Sequence, residues 1–263
     1  MELKLRGRTV VITGASQGIG LACAEGFAAE GCNLHLAARN AQALEAARAD
    51  LTQRYGVQVT VHPLDLSVTA NIVALSRACG DIDILVNNAG AIPGGSIDQV
   101  GDERWRHAWD LKVFGYINLT REVYARMRER RSGVIVNVIG LAGERNRPNY
   151  IAGTTGNAGL MAFTRALGAE SVDHNVRVVG VNPGRVETER QVKHFKEDAE
   201  HECGDATRWP EFAARVNELL PFKRSGRPDE VSDLVVFLAS ERASYISATV
   251  VTIDAGQSLR PRV

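Results

Sequence analysis

Three places in this chain put reactive or ligand-holding residues at a telling spacing. The first is TGASQGIG at 13–20, where Gly14, Gly18 and Gly20 follow a G-x3-G-x-G pattern between a β-branched run and a helical one. Glycines there let backbone amides approach a pyrophosphate, whose charge is favoured at a helix amino terminus. The plainer reading is a tight strand-to-helix turn. The second place is Lys112, which helical spacing sets in line with Trp105, Ala108, Trp109 and Tyr116. A lysine on an aromatic stripe either lays its stem along the rings with its head in water or has a buried partner, since an unpaired buried charge is costly. The third is YIAGTTGNAGL at 150–160, which opens an amphipathic helix with glycines at interior positions. Each is about 1 kcal/mol worse than alanine, so the stretch is poorly built by propensity alone. Tyr150, Gly153 and Asn157 share one face of it.

Elsewhere the chemistry is thinner. His194, His201 and Cys203 resemble a metal cluster only in composition; their spacing fits no common zinc pattern, and no metal is expected. Cys23, Cys32, Cys79 and Cys203 show no paired spacing and read as reduced thiols, three of them small core hydrophobes.

The elements that must position these residues alternate along the whole chain. RTVVIT (8–13) precedes a helix from Gly18, NLHLAA (33–38) precedes an alanine-rich helix, and VQVTV (57–61) and IDILVNN (82–88) follow. A long helix is expected from Asp102 to Arg128, then GVIVNVI (133–139) and the glycine-bearing helix. NVRVVGVN (175–182) leads into a long polar segment, and a last helix (229–239) precedes TVVTID (249–254). Strand runs that are apolar throughout imply burial on both faces. The expected fold is therefore α/β, a doubly wound Rossmann-like parallel sheet with helices on both faces, built as one domain over 1–263.

Composition fits that picture and excludes others. Hydrophobic residues make up 44% of 263, enough for a large core, and Lys plus Arg balance Asp plus Glu at 31 each. A zero balance argues against nucleic-acid binding by bulk charge. The basic run RMRER at 126–130 falls where a helix ends, complementing its dipole. The amino terminus has no apolar leader, no run reaches membrane-spanning length, and a cytoplasmic protein is expected.

Five segments in order make the chain resemble the short-chain dehydrogenase/reductase family from end to end: TGASQGIG, Asp65-Leu66, NNAG at 87–90, NPGRVET at 182–188, and GRPDEVSDLVVFLAS with VVTIDAG near the end. The resemblance implies a dinucleotide in a cleft formed by Gly14, Ser16, Gln17, Gly18, Ile19 and Gly20. Asp65 and Leu66 would hold adenine, Asn88, Ala89 and Gly90 would line the cleft, and Pro183, Gly184, Val186 and Thr188 would hold the nicotinamide carboxamide. The second strand run ends Ala37-Ala38-Arg39-Asn40. An acidic residue there would take the ribose hydroxyls of NAD, whereas a small residue followed by Arg39 leaves room for the 2′-phosphate of NADP and a guanidinium to pair it. NADP is favoured, with NAD as the alternative; Gln17 stands where a second basic residue would strengthen the choice.

The catalytic end departs from the family pattern. The tetrad tyrosine and lysine align with Gly153 and Asn157, the serine with Gly140, and the asparagine with Lys112. Lysine and asparagine have thus changed places between two neighbouring helices, which makes Lys112 and Asn157 the expected catalytic pair. Tyr150, one turn (about 4.5 Å) early on its helix, is the nearest phenol for proton transfer, with packing alone as its other role. Tyr116, Thr154 and Glu144 are weaker candidates.

Three functions are compatible with this pattern. The leading one is an NAD(P)-dependent carbonyl or alcohol oxidoreductase with a non-standard acid–base set. The others are a nucleotide-binding sensor or scaffold without turnover and a non-redox enzyme of lyase or hydratase type. The segment 185–222 aligns with the family's variable substrate loop, and its basic residues, with Arg145 and Arg147 nearby, suit an anionic small-molecule substrate. The resemblance further implies a homodimer or homotetramer.

Overall fold

The computed structural model describes residues 2–260. Among them, seven parallel strands form one sheet in the order β3-β2-β1-β4-β5-β6-β7. The strands are β1 (Thr9–Thr13), β2 (Asn33–Ala38), β3 (Val59–Pro63), β4 (Ile84–Asn87), β5 (Gly133–Val138), β6 (Val176–Pro183) and β7 (Thr249–Ile253). Chain order reverses between β1 and β4, which leaves a crevice at their carboxyl ends where open α/β sheets take ligands.

Helices α1 (Gly18–Ala29), α2 (Ala41–Tyr55), α3 (Thr69–Cys79), α4 (Asp102–Trp109), α5 (Gly115–Arg130), α6 (Ile151–Ser171), α7 (Glu189–Cys203), α8 (Trp209–Glu218) and α9 (Pro228–Ala239) complete the chain. Side-chain alternation decides which helix meets which strand face. Val10 and Ile12 join Phe27 of α1, Leu44 of α2 and Val235 of α9 in one core; Val11 joins Leu75 of α3 with Leu119 and Met127 of α5 in the other. Both faces of β1 are closed to water, as its unbroken apolar run predicts.

The strand expectations hold to within two residues. β3 starts later than expected and runs through His62 to Pro63, because it is the edge strand and proline's missing N–H faces no neighbour there. Two helical expectations need correction. The long helix runs unbroken from Asp102 to Arg130 but not with regular winding, since Asp110–Phe114 form a π turn between α4 and α5. The polar segment after β6 is not a loop but a helical pair, α7 and α8. Thr188 caps α7 by accepting from the Gln191 N–H, Gly204 ends it in a left-handed conformation, and Phe195, Ala199 and Phe212 form a small core of its own. The basic run at the end of α5 is more than a solvated helix end, because Arg126 donates to Ser76 O and Arg130 to Ile82 O, fixing the turn between α3 and β4.

Candidate active site

The glycine-rich turn is built by β1 and held by β4. Thr13 Oγ1 accepts from the backbone N–H groups of Asn88 (2.9 Å) and Ala89 (3.0 Å), while Asn88 Nδ2 donates to Thr13 O and Gly14 O. Gly14 has φ +67, and a Cβ there would lie 2.9 Å from Ala89 Cα, so only glycine lets the two strand ends meet so closely. Past this turn opens a cleft of about 740 Å³.

Of the residues expected to bind the dinucleotide, Gly14, Ser16, Gln17, Gly18, Ile19, Arg39, Leu66, Asn88, Ala89, Gly90, Pro183, Gly184, Val186 and Thr188 line this cleft. Gly20 and Asp65 do not line it. Gly20 is pressed against the Gly14 carbonyl, where a side chain would keep α1 from closing on the turn. The Asp65 carboxylate accepts from Ser67 N (2.9 Å) and Ser67 Oγ (2.7 Å). Burial works to raise the Asp65 carboxyl, but the Ser67 hydrogen bonds, with Arg39 and His107 adding, leave it below its ordinary value. Cleft volume, glycines at the close approach and a helix amino terminus behind them fit a dinucleotide.

Lys112 turns inward. It is 7% exposed, and its Nζ donates to Tyr116 Oη (2.7 Å) and Val138 O (2.7 Å) at the carboxyl end of β5. Tyr116 Oη donates to the same carbonyl at 2.9 Å. An ammonium has three N–H donors, so one is left over, and Lys112 lines the cleft. Its stem crosses Gly90, where a Cβ would collide with it. Burial, assisted by the Arg190 charge, lowers the Lys112 pKa to about 7. The solvated-head reading of this lysine is thereby overturned. The π turn carries Lys112 at its centre, and single π turns are frequent at functional sites.

Asn157 and Tyr150 line an adjoining pocket of about 390 Å³ that shares Gly140, Pro183, Gly184 and Arg190 with the cleft. Asn157 is 4% exposed; its Nδ2 donates to Gly140 O (3.3 Å), which leaves Oδ1 buried with no partner among the described residues. Gly140 has φ +129 and ψ 145, a conformation closed to side chains, so this glycine is required by the backbone itself and is not merely a vacated serine position. Gly153 answers to space instead. The Tyr150 ring lies where a Cβ at 153 would go. Burial raises the Tyr150 pKa, while Arg190 and Arg147 pull it back.

The weaker candidates have other partners. Tyr116 stays protonated because burial raises it, Thr154 Oγ1 accepts from Arg147 N, and Glu144 accepts from Thr252 Oγ1. His194 pairs with Glu197 and Cys203 donates to Ala199 O, so no metal cluster forms from them. Instead β2 and β3 bring His35 Nδ1 and His62 Nε2 to 3.0 Å, with Cys79 Sγ 3.8 Å from His62. Burial lowers both imidazoles, which favours a neutral hydrogen-bonded pair. Period-2 alternation in NLHLAA is the sequence signal that His35 and Ala37 share one face of the sheet, which the structure sets against α3. Arg190, missed as a site residue, donates to Gly90 O (3.3 Å) and Ile92 O (2.8 Å) and so borders both cavities. Cys23, Cys32 and Cys79 are buried free thiols with pKa values pushed up to about 12, and Cys203 is exposed, as expected.

A parallel sheet with a nucleotide-sized cleft at its switch point, and a buried amine beside that cleft, defines a dinucleotide-binding oxidoreductase. The chain belongs to the short-chain dehydrogenase family, whose model, described as short chain dehydrogenase, matches residues 8–199. It is 30% identical over 263 residues to a 3-oxoacyl-[acyl-carrier-protein] reductase of Aquifex aeolicus, covering 97% of this chain and 99% of that one. With the 2,3-dihydro-2,3-dihydroxybenzoate dehydrogenase of Bacillus subtilis it shares 31% identity over 259 residues and 97% of both chains. A crystal structure of L-sorbose reductase from Gluconobacter frateurii, complexed with NADPH and L-sorbose, superposes with a TM-score of 0.93 at 33% identity over 99% of this chain and 100% of that one. No helix among the described residues is long and apolar enough to cross a membrane.

Proposed function

We propose that the chain is an NADP(H)-dependent reductase of a small carbonyl compound, reversible as an alcohol dehydrogenase, with Lys112 as its proton donor. The observation that carries this is the buried Lys112 amine, tuned to about 7 and bordering the cleft. The turn at Gly14–Gly20 would hold the pyrophosphate, Arg39 the 2′-phosphate, Asp65 and Leu66 the adenine, and Pro183–Thr188 the carboxamide. When bound, the reduced nicotinamide would supply the hydride that a carbonyl carbon needs. Lys112 Nζ, as ammonium, gives its proton to the carbonyl oxygen and is left as an amine held by Val138 O and Tyr116 Oη. Asn157 offers Oδ1 to a hydroxyl at the Gly140 end of the pocket. Tyr150, kept protonated, hydrogen-bonds the substrate oxygen from the pocket side.

The whole chain acts as one unit in this reading, with 185–222 as the substrate cover. A homodimer or homotetramer is supported by Phe114, a large apolar side chain 48% exposed at the end of the π turn between α4 and α5. Four free thiols support a cytoplasmic setting. The absence of a tetrad-type hydroxyl at Gly140 and Gly153 is what favours the second reading, a nucleotide-binding sensor or a non-redox enzyme.

The test is NADPH oxidation across a carbonyl panel, with NADPH and NADH affinities measured in parallel. We expect substrate-dependent turnover, tighter NADPH than NADH, and a loss of about 10²–10⁴ in kcat for Lys112→Met at unchanged NADPH affinity. Full turnover in Lys112→Met would remove Lys112 from the mechanism. Cofactor binding without oxidation of any panel member would favour the sensor.

A further inference from the structure

We infer that the substrate carries an anionic group, a carboxylate or a phosphate, and that Arg147 and Arg185 clasp it. The inference rests on the reading that the pocket beside Asn157 and Tyr150 receives the substrate. Arg145, Arg147, Arg185, Arg190 and His194 line that pocket, and no aspartate or glutamate does.

Ion pairing separates these arginines from their neighbours. In the cover Arg208 pairs with Glu211 and Arg215 with Glu202, and just beyond it Arg224 pairs with Glu230 and Arg227 with Asp229. Among the described residues none of the four pocket arginines has such a pair. Two of the four are held by backbone carbonyls: Arg145 donates to Gln257 O (2.7 Å), and Arg190 to Gly90 O and Ile92 O. Arg147 and Arg185 have no side-chain hydrogen bond to protein among the described residues. Their guanidinium forks, each able to grip an oxyanion with two parallel N–H groups, are open.

The pocket wall also fixes the geometry of the grip. The Arg185 guanidinium lies 5.8 Å from the centroid of the Phe195 ring, an apolar shelf midway along α7. Burial first, and then the Arg147 charge, weaken the protonated form of Arg185; Asp198, exposed on α7, offsets this less than either. Two like charges facing a half-enclosed space repel until an anion lies between them. That anion is not a cofactor phosphate, because Arg145, Arg147 and Arg185 are absent from the lining of the dinucleotide cleft. The shared wall at Gly140 and Gly184 then fixes the substrate's orientation, with its charged group against Arg147 and Arg185 and its carbonyl toward Lys112.

Calorimetric titration of the NADPH-saturated protein with inorganic phosphate and, separately, with acetate tests this without requiring turnover. At least one anion should bind, and the paired change Arg147→Gln with Arg185→Gln should weaken it tenfold or more. The same change should leave NADPH affinity within twofold, which reports an intact fold. The surface change Arg208→Gln removes equal charge and should leave anion binding unaltered. Binding of phosphate alone assigns a phosphorylated carbonyl compound, and binding of acetate alone a keto acid. If neither anion binds, or the paired variant or Arg208→Gln makes the effect unspecific, the clasp is wrong while NADPH-dependent reduction stands. Specific anion binding with no hydride transfer to any keto acid or phosphorylated ketone would retain the clasp and overturn the reductase.

Discussion

Lys112 contributes to the site at a cost to the fold. With its pKa at about 7 in the folded protein and 10.5 as the ordinary value, the unfolded chain holds one more proton between those limits. Stability must therefore rise with pH across that window and be flat below it, where both forms are protonated. One proton amounts to about 1.4 kcal/mol per pH unit at most. We expect denaturant unfolding at pH 6 to 9 to show the wild type gaining on Lys112→Met by up to that slope above pH 7. Parallel stabilities for the two proteins would mean that the amine is solvated. On the proposed role of Lys112 as proton donor, catalysis would follow the same group with the opposite sign: the reductive direction would need the ammonium and should fade above about 7. The aromatic stripe made Lys112 legible, because an inward-facing lysine needs partners and the stripe supplied Tyr116. Asn157 was legible as a position on the glycine face. Gly140 was not, because its demand arises from a backbone conformation that only the meeting of β5 and β6 imposes.

Between residue and sheet, the π turn at Asp110–Phe114 is the element that decides where the amine goes. It inserts one residue relative to a regular helix, and α5 beyond it is locked by Leu119, Val123 and Met127 against α3 and the sheet. Deleting Val113 would restore regular winding and shorten the Lys112–Tyr116 spacing from four residues to three. One residue of helix is a rotation of about 100°, enough to take Nζ away from Val138 O. The expected outcome is retained helical circular dichroism and NADPH affinity, with both the pH-dependent stability and turnover lost. Turnover surviving the deletion would show that the π turn does not position Lys112. Such a turn has no sequence signal in DLKVF, since its five residues are ordinary helix formers. The strands were legible to within two residues because doubly buried strands are apolar at every position. Helices α7 and α8 were obscured by charge, although Thr188, the Phe195–Ala199 pair and Gly204 were cap, stripe and stop in plain view.

Across the whole molecule, two bodies of unequal firmness meet over the cleft. The sheet and its flanking helices are stitched by a buried polar chain, Asn87 to Thr120 and Asn137, and Asn137 to Thr164, in addition to two apolar cores. Among the described residues the α7–α8 pair has a small core of its own around Phe195 and Phe212; Arg190 ties it to the loop after β4, Ser225 bonds Gln191 and Asn217, and the bridge between Val186 and Gly226 joins the segments that flank it. Fewer buried apolar contacts mean a lower free energy of local opening. Hydrogen exchange should therefore find the α7 and α8 amides opening well below the global unfolding free energy, with β1, β4, β5 and β6 exchanging only on global unfolding. Ligands that touch Thr188 and Arg190 from the cleft, or Arg185 from the pocket, bind the closed form and must slow exchange in α7 in proportion to their occupancy. NADPH alone should protect the first turn of α7, and adding the anion that fits the arginines should extend protection toward Phe195 and the α8 contact. Protection by NADPH that is complete without the anion would make the pair a cofactor lid. Protection confined to the glycine-rich turn would make it a bystander to binding.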